Sequence, residues 1–207
     1  MRAHEFITEA EQPKQHLGIF DIDDTLLHTT AQIAVVKDGQ IVRRLSNQQF
    51  NDYVLQPGEQ YDFSEFRDAI KFNQESTPIG RMIDKLKFKM QNPRNHIIFL
   101  TARADFDDKD LFLQTFKDLD IDMSKIHVHR AGNLPGDEAP AHKKAVWVRR
   151  YLDTGRYNAV SLYDDSNQNL RVFKSLQSEY PGVRFFAYHV GDSGRTRTVE
   201  AAHHAQH

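Results

Sequence analysis

The feature that most constrains this chain is a rhythm of short apolar runs, at residues 16–22, 95–100, 126–130, 158–163 and 183–190. The first is bounded by a polar leader and followed at once by carboxylates, so it reads as a buried strand of a parallel sheet. The later runs are similar, and longer amphipathic stretches separate them. Residues 105–119 bring Leu111, Phe112, Thr115, Phe116 and Leu119 near one helical face, and residues 140–152 and 166–180 read the same way. Strands alternating with helices of this length join by right-handed crossovers. The expected fold class is therefore α/β, a central parallel sheet with helices on both faces. Apolar residues at 39%, with 14 Phe in 207 residues, supply the core that three layers need.

The connection between the first two strands breaks the rhythm and carries a pattern of its own. Runs at 31–36 and 40–45 flank Asp38-Gly39, a strong hairpin turn signal. Ser46 with Gln49 three residues on forms a capping box for a short helix through Tyr53. Thr77-Pro78 reads as the opening of a helix to about Gln91, with proline in the first turn. The expected organisation is a core of residues 1–26 and 96–192, a small α+β insertion over 27–95, and a flexible polar tail over 193–207.

Charge is nearly balanced, 27 Lys and Arg against 29 Asp and Glu, so no global basic field draws nucleic acid. There is no cysteine, which excludes a disulfide scaffold, a thiolate zinc site and a cysteine nucleophile. No apolar run approaches the ~20 residues of a membrane span, and residues 1–15 lack the apolar stretch of a signal peptide. The expectation is a soluble, cytoplasmic protein with no membrane partner and no inferable obligate protein partner.

Chemistry concentrates where strands end. Asp21, Asp23 and Asp24 follow the first apolar run, at the strand exit where α/β sheets keep ligand sites. Carboxylates this close repel unless a cation or protons intervene; the plainer alternative is an Asp-rich loop that caps a helix. Thr101 ends the second run, Asp164-Asp165 ends the fourth, and Lys143-Lys144 opens a helix between them. In a parallel sheet these exits share one edge, so the groups converge across the chain. The two lysines sit about 100° apart on a helix, so only one can face the site. Val146 and Trp147 lie on the face of Lys143 and favour it slightly, with Lys144 as the alternative.

Asp21-x-Asp23-x-Thr25, apolar-Thr101, Lys143 or Lys144, and apolar-Asp164-Asp165 together resemble the four-motif signature of the haloacid dehalogenase superfamily. The resemblance implies a Rossmann-like three-layer sandwich with a small C1-type cap over 27–95. It also implies a phosphatase, because Asp stands at position 23. Asp21 would be the nucleophile, forming an aspartyl-phosphate, and Asp23 the acid and then the base. Thr101 would donate to the phosphoryl group, and a lysine would neutralise one of its oxygens. Mg²⁺ would be held by Asp21, the backbone carbonyl of Asp23, and Asp164, with Asp165 in support. Arg103 faces either a second substrate anion or the Asp105–Asp108 cluster; the Thr-x-Arg pattern is similar to the phosphatase domain of polynucleotide kinase-phosphatases.

Other signals weigh less. Residues 105–110 are Asp-rich but lack the glycine and glutamate of a calcium loop, and read as a helix start. His127 and His129 share a strand face as a packed or substrate-facing pair or, less readily, metal ligands; His203, His204 and His207 belong to the tail. His28, Thr29 and Thr30 are candidates for substrate contact, or surface residues of a connecting strand. The expected activity is hydrolysis of a phosphomonoester, on a phosphorylated small molecule or, as Arg103, Arg130 and Arg149-Arg150 mildly suggest, a nucleic-acid end. The alternatives are a phosphotransferase and, in another class, a non-catalytic binding module on the same scaffold.

Overall fold

The computed structural model describes residues 14–200; the leader before them and the terminal histidines His203, His204 and His207 lie outside the described residues. In chain order the strands are β1 (Gln15–Phe20), β2 (Leu27–His28), β3 (Ile33–Lys37), β4 (Gln40–Leu45), β5 (Glu59–Asp62), β6 (Thr77–Pro78), β7 (Asn95–Thr101), β8 (His127–Arg130), β9 (Tyr157–Asp164), β10 (Arg184–Val190) and β11 (Thr196–Val199). The helices are α1 (Asn47–Asp52), α2 (Ala69–Glu75), α3 (Gly80–Met90), α4 (Lys109–Lys117), α5 (Pro140–Leu152) and α6 (Asn167–Ser175).

The apolar runs assemble a six-stranded sheet in the order β11-β10-β9-β1-β7-β8. Its first five strands in the chain are parallel, and β11 closes the edge antiparallel to β10. β1 therefore lies between β7 and β9. Side chains alternate between two cores. Phe20, Ile97 and Phe99 pack with Met82 and Leu86 of α3 and with Phe112 and Phe116 of α4. Leu17, Ile19, Ile98 and Leu100 pack with Val148 and Leu152 of α5 and with Leu170 and Phe173 of α6. This is a mixed α/β protein with a central, mostly parallel sheet between helical layers.

The insertion rises from the neck formed by β2 and β6, which pair antiparallel. Its small sheet has the order β4-β3-β5, over a cluster of Ile33, Val35 and Leu45. Asp38 and Gly39 both take left-handed φ, of 51° and 77°, and so close the hairpin. The capping box forms as read: Gln49 N donates to Ser46 Oγ at 3.2 Å, and Ser46 N donates to Gln49 Oε1 at 2.9 Å. Not all of the insertion stands apart, because Phe72 of α2 and Leu86 of α3 are buried with the main core.

Two expectations need correction. Pro78 does not open a helix: residues 77 and 78 pair with the outgoing strand, Ile79 N donates to Leu26 O at 2.9 Å, and α3 starts only after that bond. Residues from 193 are not simply a flexible tail. Gly194, at φ 73°, turns the chain at 191–195, and Thr196–Val199 then adds β11 to the sheet.

Candidate functional site

Asp21 is the first residue past β1, and its backbone N donates to Tyr163 O of β9 at 3.0 Å. That bond carries the two strands side by side to their ends, so Asp21 and Asp164 emerge together. The chain then folds back tightly. The amides of Thr25, Leu26 and Leu27 converge on the Ile22 carbonyl at 3.3, 2.9 and 3.1 Å, with Asp24 at φ 56°. Aspartate tolerates that left-handed conformation better than most residues.

Lys144 sits between the two carboxylates. Its Nζ donates to Asp21 Oδ1 at 2.6 Å and to Asp164 Oδ2 at 2.8 Å, and the residue is only 4% exposed. Asp164 is held on its other side by Asn169 Nδ2, at 2.9 and 3.0 Å, and by Ser166 N at 2.9 Å. Asp21, Asp164 and Asp165 each offer one oxygen, all within 4.8 Å of one another. An all-oxygen set of this kind fits a hard divalent cation rather than zinc. Electrostatics supports the fit. Burial, with Asp164 and Asp23 nearby, pushes the Asp21 carboxyl up although the Lys144 ammonium pulls it down. Burial, Asp164 and Asp21 likewise push Asp165 up. One ammonium among three carboxylates leaves the cluster short of positive charge.

Asp23 lies apart from that trio. Burial alone would raise its carboxyl, but the Arg103 guanidinium and the Thr29 hydroxyl outweigh burial and hold it below the usual carboxylate range. Arg103 Nε donates to both Asp23 oxygens at 3.1 and 3.0 Å, Nη2 to Oδ1 at 2.6 Å, and Thr29 Oγ1 to Oδ1 at 2.7 Å. Thr101 ends β7 fully buried; its Oγ1 lies 3.5 Å from Asp23 Oδ2 and accepts from Arg103 N at 3.1 Å. Arg103 itself is 4% exposed, with its remaining Nη1 on the Phe66 carbonyl at 2.9 Å and the rings of Phe66, Phe72 and Phe106 around it. Gly132 lets this loop lie flat: a Cβ there would meet Ala102 O, Ala104 N and Arg103 C at 2.6–2.7 Å.

The structure thus brings together Asp21, Asp23, Thr101, Arg103, Lys144, Asp164 and Asp165, and decides between the two lysines. The lysine bonded to the carboxylates is Lys144; Lys143 also lines the cleft, but its Nζ donates to the Leu134 carbonyl at 2.9 Å. Arg103 binds Asp23, and neither the Asp105–Asp108 cluster nor open space. His28 faces the neck, with Nε2 donating to Asp192 O at 3.0 Å and Nδ1 3.5 Å from Asp24. The Asp23 carboxylate is no part of the carboxylate trio. Of the other arginines, Arg130 pairs with Asp105, Arg149 with Glu179, and Arg150 lies over Trp147. His127 and His129 are a packed pair, with His129 stacked on Trp147 at 4.1 Å and bonded to Tyr151 Oη. Asp108 caps α4, as the reading of the Asp-rich segment implied.

Sequence reasoning missed Asn169, Phe66 and Gly132 as supports of the site. Only Asn169 had a local signal, an amide one helical turn beyond Asp164. The site opens into a cleft of about 1040 Å³ between the sheet edge and the insertion. No family model matches this sequence, and no curated protein matches it.

Proposed function

We propose that the protein is a phosphomonoester hydrolase of the haloacid dehalogenase kind, working through an aspartyl-phosphate on Asp21. The observation that carries this reading is the Lys144 ammonium bridging Asp21 and Asp164 at the mouth of an open cleft, with Asp23 held separately. A phosphate ester repels nucleophiles with its own anionic oxygens, so a carboxylate can attack only where that charge is neutralised. Lys144 supplies one positive charge in a dry setting, where it acts most strongly. Asp21, Asp164 and Asp165 would hold Mg²⁺, which when bound supplies further positive charge against the phosphate oxygens.

Asp21 attacks phosphorus, and the ester oxygen leaves with a proton from Asp23. Water then attacks the phosphorus of the aspartyl-phosphate and gives its proton back to Asp23, which releases phosphate and restores the Asp21 carboxylate and the Asp23 acid. Arg103 holds Asp23 in the form that takes a proton from water. The form that gives one is favoured when the substrate's negative charge lies beside it, because a like charge raises a carboxyl. Thr101 donates to the phosphoryl group. An open cleft admits water, which favours hydrolysis over transfer to another acceptor.

The test is phosphate release from a panel of phosphorylated metabolites, nucleotides and p-nitrophenyl phosphate, with Mg²⁺ and with EDTA. Asp21→Asn keeps shape but removes the attacking charge, so turnover is expected to fall by several orders of magnitude. Retention of more than a few per cent of activity, or full activity in excess EDTA, overturns the mechanism.

A further inference from the structure

Part of the wall of the cleft is aromatic, and the proposed hydrolysis gives it no work. The Arg103 guanidinium carbon lies 4.5 Å from the Phe66 ring centroid, and further rings follow in contact with one another. Phe66 meets Phe63 at 6.4 Å, and Phe63 meets Phe50 at 5.6 Å and Tyr61 at 5.9 Å. All four rings line the same cleft as Asp21, Lys144 and Asp165. Phe50, Tyr61 and Phe66 also pack on the insertion's small core, which accounts for them structurally. Phe63 has no such account, for it is 45% exposed and lies in none of the apolar cores. A large apolar ring left half in water, yet fixed by edge contacts to Phe50 and Phe66 and a tilted contact to Tyr61, is preorganised for a flat partner.

Resting on the phosphatase reading above, we infer that the insertion selects phosphomonoesters whose alcohol carries a flat aromatic or heteroaromatic ring, with Phe63 as the stacking residue. The phosphate is anchored at Asp21 and Lys144, and the ring is seated on Phe63. A cleft of about 1040 Å³ far exceeds what a phosphate alone needs and suits a ligand of nucleotide size. Base-on-ring stacking is worth enough to shift binding by about tenfold or more per ring and tolerates any base, since each presents a π-face. The ring-bearing ester has two sources, a free nucleotide and the terminal phosphate of a longer strand.

The experiment compares adenosine 5′-monophosphate with ribose 5-phosphate, which carries a hydroxyl on the anomeric carbon in place of the adenine. The expected kcat/KM ratio is about tenfold or more in favour of the ring. It should fall toward parity in Phe63→Ala and Phe63→Leu and persist in Phe63→Trp; loss in Leu separates stacking from simple apolar cover. An unchanged ratio in Phe63→Ala overturns the inference while leaving the phosphatase reading intact. Should no phosphate in the panel be hydrolysed, that reading fails by itself, and calorimetry decides the present one. Adenosine 5′-monophosphate is then titrated into Asp21→Asn and Asp21→Asn/Phe63→Ala protein with Mg²⁺: tighter binding than ribose 5-phosphate that vanishes without Phe63 supports ring selection, and equal binding overturns it. A phosphorylated dinucleotide processed faster than the mononucleotide identifies a strand end as the source, and slower processing identifies the free nucleotide; both agree with stacking.

Discussion

The charge of the site turns on Lys144, and its neighbour Lys143 makes the natural control. Lys144→Met strips the ammonium from between Asp21 and Asp164. Removing one partner of a buried ion pair costs about 3–5 kcal/mol, limited here because the stranded carboxylates can take up protons instead. Expected outcomes are a lower melting temperature and a loss of phosphate release by orders of magnitude. Lys143→Met gives up one bond to the Leu134 carbonyl, worth about 1 kcal/mol, and should keep most activity. Greater damage from Lys143→Met would refute the assignment. The two lysines could be told apart only by knowing which face of α5 is buried. That face consists of Ala141, Lys144, Ala145, Val148 and Leu152, whereas Val146, which favoured Lys143 in the sequence, is 37% exposed. Large apolar side chains drew attention to the wrong face; alanines form the close contact. The carboxylates, by contrast, were legible because strand exits are local features. Arg103 was placed at the site edge but not on Asp23, since that bond depends on a buried pocket in which Phe66 and Phe72, distant in sequence, join the nearby Phe106.

Among the elements, the insertion divides into a part that leans on the core and a part that does not. α2 is bound to α4 through Phe72, whose ring lies 5.1 Å from Phe106 and 5.2 Å from Phe112. Among the described residues, β3, β4, α1 and β5 pack around their own small cluster. The ends of that part are close, because Gln32 N donates to Glu65 Oε2 at 3.0 Å and Thr30 donates to Glu75. Replacing residues 31–63 with a short Gly-Ser link should therefore leave a folded α/β core. Excising only the hairpin, residues 31–45, should unfold the insertion, since β3 is its central strand. The larger excision is expected to bring rates on different phosphomonoesters together, read as a collapse of the spread in kcat/KM across the panel. An unaltered spread would mean that specificity lies in the core. Local chemistry made the hairpin and the Ser46 cap readable in advance. Pro78 was misread because its pairing partner, Leu27, is distant in sequence, and β11 because a polar strand on a sheet edge lacks an apolar run.

Across the whole molecule, two sets of shifted groups act on stability with opposite signs. Asp21 and Asp165 are raised by burial, so the metal-free protein holds protons there that the unfolded chain gives up, and this term weakens as pH rises. A divalent cation should displace those protons and raise the melting temperature by mass action; calorimetry in buffers of different ionisation enthalpy reads the proton release, and none would mean the trio does not bind the ion. The histidines act the other way. His129 is lowered to about 4 by burial against Trp147 and Tyr151, with His127 and nearby arginines adding, and burial also lowers His16 and His96. A folded-state pKa below the unfolded value of about 6.5 means that the unfolded chain binds the extra proton first. Stability from His129 is therefore complete above about pH 6.5 and is lost as pH falls toward 4. Because His129 is part-exposed, solvent screening reduces the full shift to about 1–2 kcal/mol. His129→Gln isolates this term, since it retains a hydrogen-bonding group near Tyr151 but cannot titrate. Denaturant melts of both proteins between pH 7.5 and pH 4.5 in saturating Mg²⁺ should show the histidine protein losing stability faster, by that amount. Parallel curves would mean that His129 is free to take its proton in the folded protein, and that the packed layer of His129, Trp147 and Tyr151 is looser than its 4.1 Å stacking implies.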